Sequence, residues 1–147
     1  MHPPESLSGI VRELDHVAIV VASIADARAA WEGGLGLAAG EVEHVADQKV
    51  NVLVCTAGRQ RFELVEPASE DSPVRGFLEK RGGGLHHLAF RVDDLERALA
   101  EVRRRGLRLI DERPRPGAHG TRIAFLHPKS VGGVLVELVE DPAHTSS

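Results

Sequence analysis

The chain has one cysteine, Cys55, among 147 residues, so no disulfide can form within it. Cys55 sits inside the apolar run VNVLVCTAG and is expected to be a small buried hydrophobe. No apolar stretch approaches the length of a membrane span, and the opening residues MHPPESLSG lack the charged-then-apolar order of a signal segment. A basic excess is missing too. Lys and Arg number 18 against 22 Asp and Glu, giving a net charge of −4 and a pI near 6.1. Nucleic-acid binders normally carry a basic face, so that class is set aside. The run Arg103–Arg105 lies on a predicted helix among acids and is a solvated face. There is no Gly-rich phosphate loop: RGGGLH leads into a strand, and is expected to be a flexible approach to a site. A soluble cytoplasmic protein with frayed ends, residues 1–9 and 141–147, is expected.

What is present is ordinary globular chemistry, with 42% hydrophobic and 27% charged residues, enough for one domain over residues 10–140. That domain is written twice. LDHVAIVVASIADARAAWEGGLGL, from Leu14, is matched by LHHLAFRVDDLERALAEVRRRGLRL, from Leu85. Each begins Leu-X-His, continues as an apolar strand, turns, runs at helical spacing and stops at Gly-Leu. FELVE at Phe62–Glu66 is matched by VELVE at Val136–Glu140. One duplication of this length suggests two paired modules, 14–66 and 85–140, and not a solenoid.

Each module is predicted as β-α-β-β-β, an α+β architecture. The first has a strand over Leu14–Val21, a helix over Ile24–Glu32 and strands near Glu41–His44, Val50–Thr56 and Arg61–Val65. The second has a strand over Leu85–Val92, a helix over Leu95–Arg105 and strands near Arg108–Glu112, Arg122–Leu126 and Val134–Val139. A short helix over Ser72–Lys80 is expected between them, with Ser72-Pro73 as N-cap and first residue.

Each module offers one His near the start of its first strand and one Glu near the end of its last. If those strands are neighbours and the modules are related by a local two-fold, His16, Glu63, His87 and Glu137 converge. Two imidazoles and two carboxylates suit a divalent first-row ion with open water positions, among them Mn²⁺, Fe²⁺, Co²⁺, Ni²⁺ and Zn²⁺. In the doublet His86-His87 only one residue can face the site, because adjacent strand residues point to opposite faces. The repeat selects His87, which aligns with His16, while His86 aligns with Asp15. In LHPKS, His127, Lys129 and Ser130 offer a cation and donors suited to phosphate or carboxylate.

Paired βαβββ modules with His and Glu ligands resemble the vicinal oxygen chelate superfamily, whose cupped, half-barrel mixed sheet surrounds a metal. Within it, LDHVAIVV, EDSPVRGFLEKRGGGLHHLAFRVDD and GAHGTRIAFLHPKSVGGVLVELVE resemble the methylmalonyl-CoA epimerase family. The resemblance runs from about Leu14 to Glu140. It implies interconversion of (2R)- and (2S)-methylmalonyl-CoA. The metal would chelate the thioester carbonyl and the carboxylate, and a base would remove the C2 proton to leave an enolate. By resemblance His16, His87 and Glu137 are metal ligands and Glu137 also a base; Glu63 stands where members carry Gln or Glu. Some members carry a second catalytic Glu in the strand that follows an EQGV segment; the equivalent stretch here is DQKVNVLV, Asp47–Val54, with Val52 at about that position and no carboxylate in its place. The second acid/base would then be Glu63, a water on the metal, or Gln48 orienting such a water beside the substrate.

Rival activities share this metal set. They are glyoxalase I-type isomerisation of a glutathione hemithioacetal and an Fe(II) extradiol-type dioxygenase; the short chain and the absence of tyrosine argue against the latter. A metal-free, drug-sequestering module of the same fold is a third, and ethylmalonyl-CoA an alternative substrate. Superfamily habit and exposed sheet edges favour a homodimer.

Overall fold

Strand alternation and two helix caps account for most of the architecture. The structure, a computed structural model, describes residues 9–142. The expected frayed ends fall almost wholly outside that range. The described residues divide into two compact units, His16–His87 and a second made of residues 9–15 together with 88–142. The first strand of each module thus contributes to both units.

In the His16–His87 unit, β1 (Glu13–Val20) pairs in parallel with β5 (Gln60–Pro67), which pairs antiparallel with β4 (Val50–Ala57). Two short strands, β2 (Ala38–Ala39) and β3 (Glu43–Val45), add to β4. A parallel neighbour needs a crossover, and α1 (Ile24–Arg28) begins it. Ser23 caps α1, its Oγ accepting the Asp26 N–H at 3.1 Å. The helix widens into a π-turn over Ala29–Gly34, where the Leu35 N–H reaches back to the Ala30 carbonyl. Ile24 packs on Ile19, Leu53, Cys55 and Leu64, with Trp31 and Phe62 at the margin. Cys55 is fully buried, as its apolar context predicts.

In the other unit, β6 (Gly84–Arg91) pairs in parallel with β9 (Val136–Glu140) over Leu88–Arg91. The strand β9 pairs antiparallel with β8 (Arg122–Leu126), and β8 with β7 (Arg115–Pro116). The helix α2 (Arg75–Arg81) belongs to the first unit, and the crossover of the second is α3 (Leu95–Arg104). Asp94 caps α3 by accepting the Arg97 N–H at 3.1 Å. Leu95, Ala98, Leu99 and Val102 fall on one helical face and pack on Ala124, Leu126, Val136 and Leu138. Both units agree with the α+β expectation. No helix among the described residues is long and apolar enough to cross a membrane.

Two local expectations are revised. Residues 108–112 do not form a strand beyond a single bridge at Leu109. The Asp111 carboxylate accepts the Phe125 N–H at 2.9 Å, and the Ile110 and Asp111 N–H groups both donate to the Phe125 carbonyl, so a regular ladder cannot continue. Ser72 does not cap α2. A turn closed by the Arg75 N–H on the Ser72 carbonyl delays the helix to Arg75, and the Ser72 side chain is buried. The glycines before β6 have a defined geometry. Gly82 ends α2 at φ 72°, and a Cβ on Gly83 would lie 2.7 Å from the Val20 carbonyl oxygen.

Candidate functional site

The repeated pentapeptides put their two carboxylates to different uses. In β5, Phe62 and Leu64 face α1 and join its core, so Glu63 and Val65 occupy the opposite face. Glu66 returns to the helix face, where its Oε1 accepts the Ile24 N–H at 2.7 Å and its Oε2 accepts from Asn51 Nδ2 at 2.9 Å. In β9, Val136 and Leu138 join the α3 core, while Val139 packs with Ala89 and Ile123 on the other face, the one Glu137 shares. Glu140 accepts the Leu95 N–H at 3.4 Å and pairs with Arg122 Nε at 2.7 Å. The second Glu of each motif therefore serves a helix N-terminus, where a carboxylate is favoured by the exposed N–H groups and the helix dipole. The first Glu is left for other chemistry.

The register fixes where that first Glu stands. Ala18 of β1 is opposite Glu63, and Ala89 of β6 is opposite Glu137. His16 precedes Ala18 by two residues, and His87 precedes Ala89 by two. Side chains two apart on a strand share a face, so each His lies on the face of its module's first Glu.

In the His16–His87 unit the consequence is visible. His16 Nε2 lies 3.3 Å from Glu63 Oε1. The His16 and His87 rings meet edge to face with centroids 5.6 Å apart. His16 is 4% exposed and His87 9%. Two imidazoles and a carboxylate gathered away from water form a donor set that fits a divalent first-row ion. Glu137, in the other unit, is 4% exposed, a burial that an unpartnered carboxylate could not bear while ionised.

The face expected for the doublet agrees with burial: His87 is buried and His86 only half-buried. Yet His86 is not remote. Its Nδ1 lies 2.8 Å from His87 Nδ1, and its ring stands edge-on to Phe77 at 5.0 Å. Sequence reasoning assigned His86 no role; its signal is the doublet itself.

Val52 is buried on the same face of β4 as Val54, which stands opposite Glu63. Gln48 ends a short 3₁₀ turn before β4 and is half-buried. His127, Lys129 and Ser130 lie on the turn between β8 and β9. His127 Nδ1 accepts the Lys129 N–H at 3.1 Å, and Ser130 Oγ accepts the Arg108 N–H at 2.7 Å. The Ser130 hydroxyl hydrogen is left to donate, and Lys129 is exposed.

Among the described residues, Asp94, Glu96 and Glu140 are a second acidic cluster in one unit. Arg122 spans it, pairing with both Glu96 and Glu140, so this cluster is an ion-pair network serving the start of α3.

Residues 15–125 match the model of the Glyoxalase/Bleomycin resistance protein/Dioxygenase superfamily. The chain is 49% identical over 130 residues to the uncharacterized protein YqjC of Bacillus subtilis, covering 88% of this chain and 93% of that one. It is 38% identical over 131 residues to an ethylmalonyl-CoA/methylmalonyl-CoA epimerase of Cereibacter sphaeroides, covering 88% and 98%. A solved structure of methylmalonyl-CoA epimerase in complex with methylmalonyl-CoA and NH4+ is 33% identical, with a TM-score of 0.86 over 93% of this chain and 99% of that one. The chain belongs to the glyoxalase/bleomycin resistance protein/dioxygenase superfamily, the vicinal oxygen chelate superfamily its paired modules resemble, and within it is similar to methylmalonyl-CoA epimerases.

Proposed function

We propose that the protein is an epimerase of acyl-CoA thioesters that interconverts (2R)- and (2S)-methylmalonyl-CoA by moving the C2 proton. The observation that carries this reading is the His16–Glu63 geometry, 3.3 Å apart across β1 and β5. The register that produces it recurs for His87 and Glu137 across β6 and β9. The sequence repeat makes Glu137 the proposed fourth ligand beside His16, Glu63 and His87. Relatives named for methylmalonyl-CoA and ethylmalonyl-CoA support the acyl-CoA substrate class.

A divalent ion held there would polarise the thioester carbonyl and stabilise the negative charge that develops on it. The protein's own residues do the rest. Glu137, on the face opposite its helix, takes the C2 proton from one side of the substrate. Glu63 is the acid/base proposed for the other side, because the alternative position is the apolar Val52. Each carboxylate then works in the protonation state the other has just left, which epimerisation requires. Lys129 and Ser130 are the proposed contacts for the CoA phosphates. A homodimer is the proposed assembly.

The substrate class is tested by direct comparison. With added Co²⁺, kcat/KM for methylmalonyl-CoA epimerisation is expected to exceed that for isomerisation of a methylglyoxal–glutathione hemithioacetal by at least about 10⁴-fold, the discrimination available when buried polar groups are left unpaired by the wrong ligand. The reverse preference would make the chain a glyoxalase. Ethylmalonyl-CoA, one methylene larger, is expected to be turned over within about 10–200-fold of methylmalonyl-CoA.

A further inference from the structure

We infer that His86 is a positioning residue for the candidate metal centre: it holds His87 in the tautomer and ring orientation that leave Nε2 available to a cation. The inference rests on the reading of His87 as a ligand.

Consecutive residues on a strand point to opposite faces, so two adjacent imidazoles do not ordinarily meet. Here their Nδ1 atoms lie 2.8 Å apart, a hydrogen-bond distance. One of these nitrogens must donate and the other accept. When His87 Nδ1–H donates, the lone pair of His87 rests on Nε2, where it can ligate. In the opposite arrangement Nε2 carries the hydrogen and cannot. A cation on Nε2 and an acceptor at His86 Nδ1 therefore select the same tautomer. Ligand imidazoles are commonly held this way by an acceptor on their second nitrogen, which also raises their basicity.

His86 is itself held. Its ring meets the Phe77 ring edge to face at 5.0 Å and 88°, and the Arg81 guanidinium lies over the Phe77 ring, 5.5 Å from its centroid. Phe77 and Arg81 both belong to α2, which the glycine turn before β6 binds closely to Val20. So α2 has a role beyond joining the modules: it braces the residue that orients a ligand. In the first module the position before the ligand histidine is Asp15, buried at 7%. A carboxylate is a residue type that commonly accepts from a ligand imidazole.

The test uses the full chain, with His86→Phe and His86→Gln. Phenylalanine keeps a ring against Phe77 and removes the acceptor; glutamine keeps an acceptor. Co²⁺ is titrated against a competing chelator and its d–d absorption recorded, with the thermal midpoint of each metal-free protein as the check on folding. His86→Phe is expected to bind Co²⁺ about 10–100-fold more weakly with an altered spectrum, and His86→Gln to lie within about threefold of wild type. The metal-free midpoints are expected to coincide. Wild-type affinity and spectrum in His86→Phe would overturn the inference while leaving the metal centre standing. A loss in His86→Gln as large as in His86→Phe would also overturn it, because the ring and not the acceptor would then matter. Failure of the wild-type chain to bind Co²⁺ would remove the metal centre, and the inference with it.

Discussion

The two modules solve the same problem with different surroundings. Each pairs its first strand in parallel with its last, and each has a glutamate opposite the alanine two residues after a histidine. In each, a second glutamate three residues later serves the N-terminus of the crossover helix. Around this shared frame the modules diverge. The helix α1 has five residues and opens into a π-turn, whereas α3 runs for ten. The strand β4 has eight residues and carries two short neighbours; β8 has five and carries one. The residue before the histidine is Asp15 in one and His86 in the other. The constrained quantity is the register between first and last strand, because a slip of one residue would turn both glutamates of each motif to the wrong faces.

The largest expected break in this symmetry is chemical. Glu137→Gln is expected to lower kcat by about 10²–10⁴-fold, the usual contribution of a general base. Glu63→Gln keeps an oxygen donor but removes the acid/base proposed for the other side, so epimerisation is expected to fall by a comparable factor while C2 exchange from the Glu137 side persists. Steady-state kinetics and exchange on both variants decide the matter; near-wild-type epimerisation in Glu63→Gln would show that another group serves the second side.

Next comes the helix service. Glu66→Ala removes the acceptor of the Ile24 N–H, and Glu140→Ala that of the Leu95 N–H together with the Arg122 pair. Each is expected to cost about 0.5–2 kcal/mol in urea unfolding, the range for a lost N-terminal cap. The 2.7 Å bond of Glu66 against 3.4 Å for Glu140 makes the loss of the cap itself greater in the first unit. A neutral Glu66→Ala would dissolve the parallel.

The smallest effect concerns two turns. Among the described residues, Lys49 at φ 57° and His119 at φ 58° are the non-glycine residues in the left-handed region. They sit in corresponding turns, β3 to β4 and β7 to β8. His119→Gly is expected to stabilise by up to about 1–2 kcal/mol, because glycine carries no Cβ penalty there. Lys49→Gly should gain less, since it also removes the exposed pair with Asp71. Thermal unfolding of both variants measures the difference; a destabilised His119→Gly would mean that its imidazole makes contacts worth more than the strain.

Much of this was legible because strands have a period of two and the chain repeats. Alternation in FELVE and VELVE already separates Glu63 and Glu137 from the apolar residues that cover the helices. The duplication chooses His87 over His86. What the sequence could not show depended on side chains competing with backbone. Asp111 intercepts the Phe125 N–H and ends an expected strand, and the Ser72 turn closes through its carbonyl and leaves the hydroxyl buried. The capping role of Glu66 and Glu140 was hidden for a related reason: each helix start is over forty residues away in sequence from the carboxylate that serves it. The His86 contact was hidden by the same rule that identified His87, since alternation alone sends the doublet to opposite faces.

The most direct measurement is exchange of the C2 proton of methylmalonyl-CoA for deuterium, followed by NMR in D₂O with the purified protein. It is run after chelator treatment and again with Co²⁺ restored. The account predicts exchange that is lost with chelator, returns with Co²⁺ and proceeds together with interconversion of the two epimers. No exchange with any restored divalent ion would contradict it.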